Sequence, residues 1–231
     1  MAERVGGQER FIAHRLPAGL EIRDARFGDA QEIGRILAAG LGDKYGPAYG
    51  RRAVEAITAI AEAAITQQGA GRYLVAMSDG ACAGVAYLGT DGHGAPVLRP
   101  LLSALGPVRA TRAAIVLLAF AKGRPSPDEA TLDELAVSEE YRRQGVATAL
   151  IGECARLGRR ARCRRLGLWV TGDNEAAQAL YRAMGFRVAQ RRRWPSGRLL
   201  FGARGALKME LALDPRGRKP ASADPSDRPQ E

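Results

Sequence analysis

Leu132-Asp-Glu-Leu-Ala-Val-Ser-Glu-Glu-Tyr-Arg-Arg-Gln-Gly-Val-Ala-Thr-Ala-Leu-Ile151 is the stretch on which the fold of this chain turns. Ala130 to Val137 reads as a β-strand, and Val146 to Arg160 repeats apolar residues at the spacing of a long helix. Between them lies a turn of Arg142, Arg143, Gln144 and Gly145. The first N–H groups of a helix have no acceptor in a preceding turn, and they sit at the positive end of the helix dipole. A strand that turns directly into a helix therefore presents an anion site. Gly145 lets the backbone approach a phosphate and adopt a geometry that a side chain resists. Ala147 keeps the helix entrance small, while Arg142 and Arg143 add charge and forked donors. Taken alone, the stretch also reads as a basic, solvated turn. It is neither a Walker P-loop nor the Gly-x-Gly-x-x-Gly dinucleotide fingerprint.

Downstream, Arg165 to Thr171 reads as a strand, Glu175 to Met184 as a short helix and Phe186 onward as a strand. Arg191 to Gly205 is polar and Gly-rich, an expected excursion, and Ala206 to Leu213 is a last alternating strand. Upstream, Leu20 to Arg26 alternates as a first strand. Asp29 opens a helix with Ile33, Ile36, Leu37 and Leu41 on one side, ending near Gly42. Arg51 to Gln68 is a second helix, with Val54, Ile57, Ile60, Ala61, Ala64 and Ile65 in phase. Arg72 to Met77, the turn Ser78-Asp79-Gly80 and Ala81 to Leu88 form a hairpin. An insertion follows over about 89–127, with two helices between Val97 and Lys122 broken at Gly106-Pro107. The order is β-α-α-β-β, a helical insertion between the third and fourth strands, then β-α-β-α-β and a final β. It predicts one mixed α/β domain over 19–213 around a central, partly antiparallel sheet. Residues 1–18 read as a loose leader, and 214–231, rich in Pro, Arg, Asp and Ser, as a disordered tail.

Composition narrows the function without choosing it. Hydrophobic residues make up 46% and charged residues 26%, the balance of an ordinary globular protein. The formal charge of +10 suits nucleic acid, an anionic membrane or an anionic small molecule. Cys82, Cys154 and Cys163 are an odd, scattered set, and His14 and His93 lie far apart. This pattern points away from a disulfide framework or a zinc site, and no metal is expected. It fits a reducing cytoplasm with the cysteines as small apolar residues. Met1 to Arg15 has no apolar core of the signal-peptide kind. The longest apolar stretch, Ala113 to Ala121, is about half of what a membrane span needs.

Two segments together resemble a known family. Leu135-Ala-Val137 followed by Arg142-Arg-Gln-Gly-Val-Ala147 is similar to motif A of the GNAT superfamily of acetyl-CoA-dependent N-acetyltransferases. Its pattern is Arg/Gln-x-x-Gly-x-Gly/Ala, and Arg142, Gly145 and Ala147 fill the three fixed places. Leu168-Trp-Val-Thr-Gly-Asp-Asn174, then Ala176 to Leu180, then Tyr181-Arg-Ala-Met-Gly-Phe186 resembles motif B. The resemblance is specific over residues 130–188. It implies a sheet that splays between the strand before motif A and the strand of motif B, with the pantetheine arm of acetyl-CoA in the gap. Leu135, Ala136 and Val137 would then pair their backbone with the pantetheine amides. Arg142, Arg143, Gln144, Gly145, Val146 and Ala147 would cradle the pyrophosphate, with Thr148 in the first helical turn. Asn174 would contact the cofactor arm, Ala177 would be a small wall beside it, and Tyr181 would be the general acid for the leaving thiolate. A phenol can donate a proton to a thiolate as charge develops there. Tyr181 also reads as a core residue beside Leu180 and Met184.

The attacking amine must lose a proton, and Asp133 and Glu134 lie on the strand entering the site. Strand alternation sets Asp133 on the face of Leu135 and Glu134 on the other, unless a bulge intervenes. Water can serve as base instead. The absence of a Cys-His pair fits a single-step transfer to an amine acceptor. The apolar residues of the insertion read as a lid over the acceptor, a homodimer contact or extra core cover. Arg191-Arg-Arg-Trp194-Pro195 reads either as an edge of the acceptor site favouring an acidic substrate or as a solvated loop. Two rival functions remain. One is nucleic-acid binding through Arg156, Arg159, Arg160, Arg162, Arg164 and Arg165, which no helix-turn-helix, zinc-finger or stacking signature accompanies. The other is a catalytically silent acyl-CoA-sensing module. A membrane role for Val97 to Lys122 is explained as well by a protein-facing lid, so no membrane partner is expected.

Overall fold

The computed structural model describes residues 19–67, 71–90, 98–111, 113, 126, 128–193 and 205–213. The expected leader, the tail, most of the second insertion helix and Trp194-Pro195 lie outside them. Among the described residues seven strands form one sheet: β1 (Glu21–Asp24), β2 (Gly71–Ser78), β3 (Ala81–Gly89), β4 (Glu129–Val137), β5 (Arg165–Thr171), β6 (Arg187–Arg193) and β7 (Gly205–Ala212). Their order is β1-β2-β3-β4-β5-β7-β6. All neighbours are antiparallel except β4 and β5. The helices are α1 (Ala30–Gly40), α2 (Gly42–Tyr49), α3 (Ala53–Thr66), α4 (Leu98–Leu105), α5 (Val146–Arg160) and α6 (Glu175–Ala183).

The strand alternation sorts the core into two layers. Tyr73, Val75, Val85, Tyr87 and Ala136 face α1 to α4. Leu74, Ala76, Leu88, Ala130 and Leu132 face α5, joined by Leu166, Leu168 and Val170 of β5. On β5 and β7 the opposite face instead carries ion pairs among Arg165, Lys208 and Glu210. Glycines set the close approaches. A Cβ on Gly84 would lie 3.0 Å from Val146 and 3.2 Å from Leu150, so this glycine lets α5 settle on β3.

The hairpin is as expected: β2 and β3 join at Asp79 (φ 48°) and Gly80 (φ 81°), the two left-handed positions of a type I′ turn. The insertion breaks at Gly106, where φ is 72°. Its described part covers the core, with Leu101 and Leu105 buried under α4. Two boundaries and one helix stand out against expectation. The first strand stops at Asp24, because Asp29 captures the Arg26 amide at 2.6 Å and the Arg23 guanidinium at 2.7 and 3.0 Å. The strand after Phe186 runs to Arg193, held by pairing of Arg192 with Ala206 and Arg193 with Gly205, where an excursion was expected from Arg191. Helix α2 is unforeseen. Its sequence, Gly-Asp-Lys-Tyr-Gly-Pro-Ala-Tyr, carries two glycines and a proline, so its intrinsic helix propensity is poor. Burial of Tyr45, Ala48 and Tyr49 supplies what propensity does not.

Candidate active site

Parallel pairing of β4 and β5 covers only Glu129 to Leu132 against Arg165 to Leu168. Beyond Leu132 and Leu168 the two strands part, and each pairs onward with its outer neighbour: β4 with β3 as far as Val137, β5 with β7 as far as Thr171. The result is a fork in the middle of the sheet. Leu135, Ala136 and Val137 edge one side of it, Trp169 to Thr171 the other. A backbone edge at such a parting lacks a strand partner and can pair with an extended ligand.

At the tip of β4 the chain turns through Arg142, Arg143, Gln144 and Gly145 into α5. Arg143 (φ 63°) and Gly145 (φ 84°) are both left-handed. Glycine takes this conformation freely, whereas an arginine does so at a cost of about 1 kcal/mol. The Gln144 side chain donates to the Glu140 carbonyl at 2.8 Å, and the Arg142 Nε to the Val137 carbonyl at 3.4 Å. The first helical bond of α5 runs from the Ala149 amide to the Gly145 carbonyl at 2.9 Å. The amides of Val146, Ala147 and Thr148 therefore have no acceptor in a preceding turn. Arg142 and Arg143, in the turn that precedes them, are exposed. An anionic group fits this turn.

Helix α6 follows β5 after a short turn, and its ends explain the motif around it. Asn174 caps it, its Oδ1 accepting from the Ala177 amide at 3.0 Å. At the other end the Phe186 amide bonds the Tyr181 carbonyl at 2.9 Å, and the Gly185 amide the Arg182 carbonyl at 3.0 Å. Gly185 is left-handed at φ 90°. This is a Schellman motif, and the Tyr181 and Phe186 rings make its hydrophobic contact at 5.6 Å. Buried Gln178, not singled out by sequence, fixes the helix to β5 by donating to the Thr171 and Gly172 carbonyls at 3.1 and 2.9 Å. Ala177 is half-buried against the α5-side core. The Tyr181 hydroxyl has no hydrogen-bond partner among the described residues, and burial pushes its pKa up to about 12.

The carboxylates behave differently from each other. The β3–β4 register slips between Tyr87 and Leu88, so Tyr87 faces Glu134, Leu88 faces Leu132, and Asp133 is the extra residue of a bulge. Asp133 accepts from the Thr131 hydroxyl at 3.2 Å and shares the side of Thr131, not that of Leu135. The alternation that set Asp133 in step with Leu135 is thus broken at Asp133 itself. Glu134 lies on the α1–α4 side, half-buried, where the Tyr73 hydroxyl donates to Oε2 at 3.0 Å and the Tyr45 hydroxyl donates to Oε1. Neither tyrosine is marked by a motif. Tyr45 sits on the unforeseen helix, and Tyr73 reads only as a strand residue. The thiols offer no rival nucleophile: burial raises Cys154 to about 12 and Cys82 to about 11.

The family model for the GNAT acetyltransferases matches residues 37–186, which include the fork, the turn and α6. The chain belongs to the GNAT acetyltransferase family. This GNAT N-acetyltransferase shares its fold with solved structures at low identity. One is the ribosomal-protein-S18-alanine N-acetyltransferase from Escherichia coli (19% identity, TM-score 0.52, 87% of this chain and 99% of that one). Another is the PaiA N-acetyltransferase from Thermoplasma acidophilum in complex with coenzyme A (15%, 0.55, 84% and 99%). A third is YncA, a putative acetyltransferase from Salmonella typhimurium with its cofactor acetyl-CoA (17%, 0.55, 88% and 99%). A sequence search among curated proteins finds no match. Among the described residues of the GNAT chain, no helix is long and apolar enough to cross a membrane.

Proposed function

We propose that the chain transfers the acetyl group of acetyl-CoA to a primary amine by direct attack. The observation that carries this reading is the fork between β4 and β5, with an unsatisfied helix N-terminus at its tip. Two of the solved structures sharing the fold are complexes with coenzyme A or acetyl-CoA, which supports the same ligand here. The backbone of Leu135, Ala136 and Val137 would hold the pantetheine amides. The amides from Arg143 to Thr148, with the Arg142 and Arg143 side chains, would hold the pyrophosphate. Asn174 keeps its Nδ2 donors for the arm while its Oδ1 caps α6, and Ala177 leaves room beside it. Bound acetyl-CoA supplies the acetyl group as an activated thioester.

The chain's own residues do the rest. Glu134 accepts the proton of the attacking amine, directly or through water. Its phenol-bonded carboxylate supports this choice over Asp133, which is turned to Thr131. Tyr181 donates to the departing thiolate. Its phenol stays protonated throughout the neutral range, as a general acid requires. The high thiol pKa values of Cys154 and Cys82 support a transfer without an acyl-enzyme. The acceptor is a small molecule or a protein amine.

A thermal shift with acetyl-CoA and with CoA tests the reading, beside an Arg142→Ala/Gly145→Asp double variant. A ligand at a hundred times its dissociation constant stabilises the folded state by about 2.7 kcal/mol. The parent should gain this and the variant should not. No shift of the parent at saturating acetyl-CoA would sink the proposal.

A further inference from the structure

We infer that Gln178 is a positioning residue for the cofactor: it pins the first turn of α6 to the end of β5 and so holds the Asn174 amide ready for the cofactor arm. The inference rests on the reading of Asn174 as a contact of that arm. Gln178 is 6% exposed. Its Nε2 donates to the Thr171 carbonyl at 3.1 Å and to the Gly172 carbonyl at 2.9 Å. Its Oε1 accepts from Arg182 Nη2 at 2.9 Å. Only an amide satisfies this set. Two carbonyls need donors and a guanidinium needs an acceptor, so a reversed amide or a carboxylate sets oxygen against oxygen. The charge of Arg182 polarises the amide and strengthens its two donations.

The amide grips the turn that carries the helix cap. Thr171 is the last residue of β5 on the fork, beyond Leu168 where β4 parts from it. The Thr171 carbonyl accepts a second bond, from the Asn174 amide at 3.2 Å. The Asn174 carbonyl accepts from the Gln178 amide at 3.1 Å, and its Oδ1 from the Ala177 amide at 3.0 Å. The Gly172 amide donates to the Gly205 carbonyl at 2.9 Å, which ties the same turn to β7. Asn174 is thereby fixed at its amide, its carbonyl and its Oδ1. The residue is exposed, and its Nδ2 donates to no group among the described residues. Gln178 supplies the side-chain link from α6 back to the β5 end, so it is the tie that substitution can cut without touching the backbone. A turn that is already fixed costs a ligand less to order than a loose one.

Calorimetric titration with acetyl-CoA, and with adenosine 3′,5′-diphosphate as the half of CoA that lacks the arm, tests this without an acceptor. The parent is compared with Gln178→Met, Asn174→Asp and the double variant, and folding of each is checked by its melting curve. Met keeps the length of the side chain and removes the donors and the acceptor. Gln178→Met should weaken acetyl-CoA binding about tenfold and leave adenosine 3′,5′-diphosphate within about twofold of the parent. In the Asn174→Asp background the same substitution should cost less than about twofold, because the contact it serves is already gone. Arg182→Met, an exposed and milder change, should act in the same direction by about twofold, and it carries the test if Gln178→Met does not fold. A residue that only steadies the helix shifts the melting temperature and leaves the affinity of the folded protein alone. Unchanged acetyl-CoA affinity in the folded variant, an equal loss for both ligands, or the same loss in both backgrounds overturns the inference. Failure of the underlying reading shows separately, before Gln178 is touched. A parent that does not bind acetyl-CoA, or an Asn174→Asp protein that binds it as tightly as the parent, removes that reading and the inference with it.

Discussion

Asn174 and Tyr181 each carry a structural duty together with a proposed chemical one, and substitution can part the two. Asn174 caps α6 through Oδ1, while its Nδ2 group is proposed to meet the cofactor arm. Asn174→Ala removes both and should cost about 1 kcal/mol in urea unfolding. Asn174→Asp keeps a capping oxygen and loses the amide donor. It should hold the parent's unfolding midpoint while weakening acetyl-CoA binding in calorimetry, and equal affinity in the two proteins would leave Asn174 a cap and nothing more. Tyr181 is likewise fixed by the Schellman turn at Gly185 and Phe186, so Tyr181→Phe should fold with an unchanged melting temperature. Its kcat for amine acetylation should fall about a hundredfold, with little change in the KM for acetyl-CoA, because a placed general acid contributes about that much or more. Unchanged turnover would remove Tyr181 from the chemistry. The Tyr-x-x-x-Gly-Phe pattern was legible in the sequence, but its helix-ending geometry was not. One spacing encodes a helix stop and a hydroxyl, and only coordinates separate them.

At the scale of elements, the fork depends on how tightly its root is tied. The Glu129 side chain crosses from β4 over β5 to reach Lys208 on β7 at 2.8 Å, and Lys208 also meets Glu210 at 2.9 Å. Gly167 makes the crossing possible: a Cβ there would lie 2.0 Å from the Glu129 Oε1. Glu129 is 3% exposed, so its charge requires that partner. Gly167→Ala should push the carboxylate off Lys208 and cost about 2 kcal/mol or more in denaturant unfolding. A change below about half a kcal/mol would mean the pair moves aside freely. The limits of the sequence follow the same division between local and distant causes. Helix α5 and strand β5 lie where apolar spacing sets them, from Val146 to Arg160 and from Arg165 to Thr171. The bulge at Asp133 arises from pairing with Tyr87 and Leu88, residues far away in the chain, and no local pattern marks it. Helix α2 contradicts its own propensities and forms because Tyr45 and Tyr49 find a core to enter. The candidate cofactor turn was therefore readable, and the tyrosines that bond Glu134 were not.

Across the whole molecule the net charge of +10 is what remains after every carboxylate has been counted. In the arginine cluster that offers itself to nucleic acid, Arg156 is paired with Glu153, Arg165 with Asp128 and Glu210, and Arg159 donates to the Leu213 carbonyl at 3.2 Å. Three of the six are thus engaged within the fold, and Arg160, Arg162 and Arg164 stand exposed. The distribution of buried phenols has a larger consequence for the whole fold. Burial raises the pKa of Tyr45, Tyr49, Tyr73 and Tyr181 above the ordinary 10.0. A raised folded-state value means that the stabilisation is fully present below the unfolded value, and is lost as pH climbs through the folded one. Above pH 10 the unfolded chain releases these protons while the native state retains them. Each phenol then subtracts up to about 1.4 kcal/mol of stability per pH unit. Urea unfolding midpoints should therefore hold steady to about pH 10 and fall steeply above it. Tyr49→Phe deletes one titrating group and keeps the ring that stacks on Tyr45. Its stability should decline less steeply than the parent's over the same interval, by about 1.4 kcal/mol per pH unit. Parallel declines in the two proteins would mean that Tyr49 ionises in place, and that its hydroxyl is open to water in the folded state.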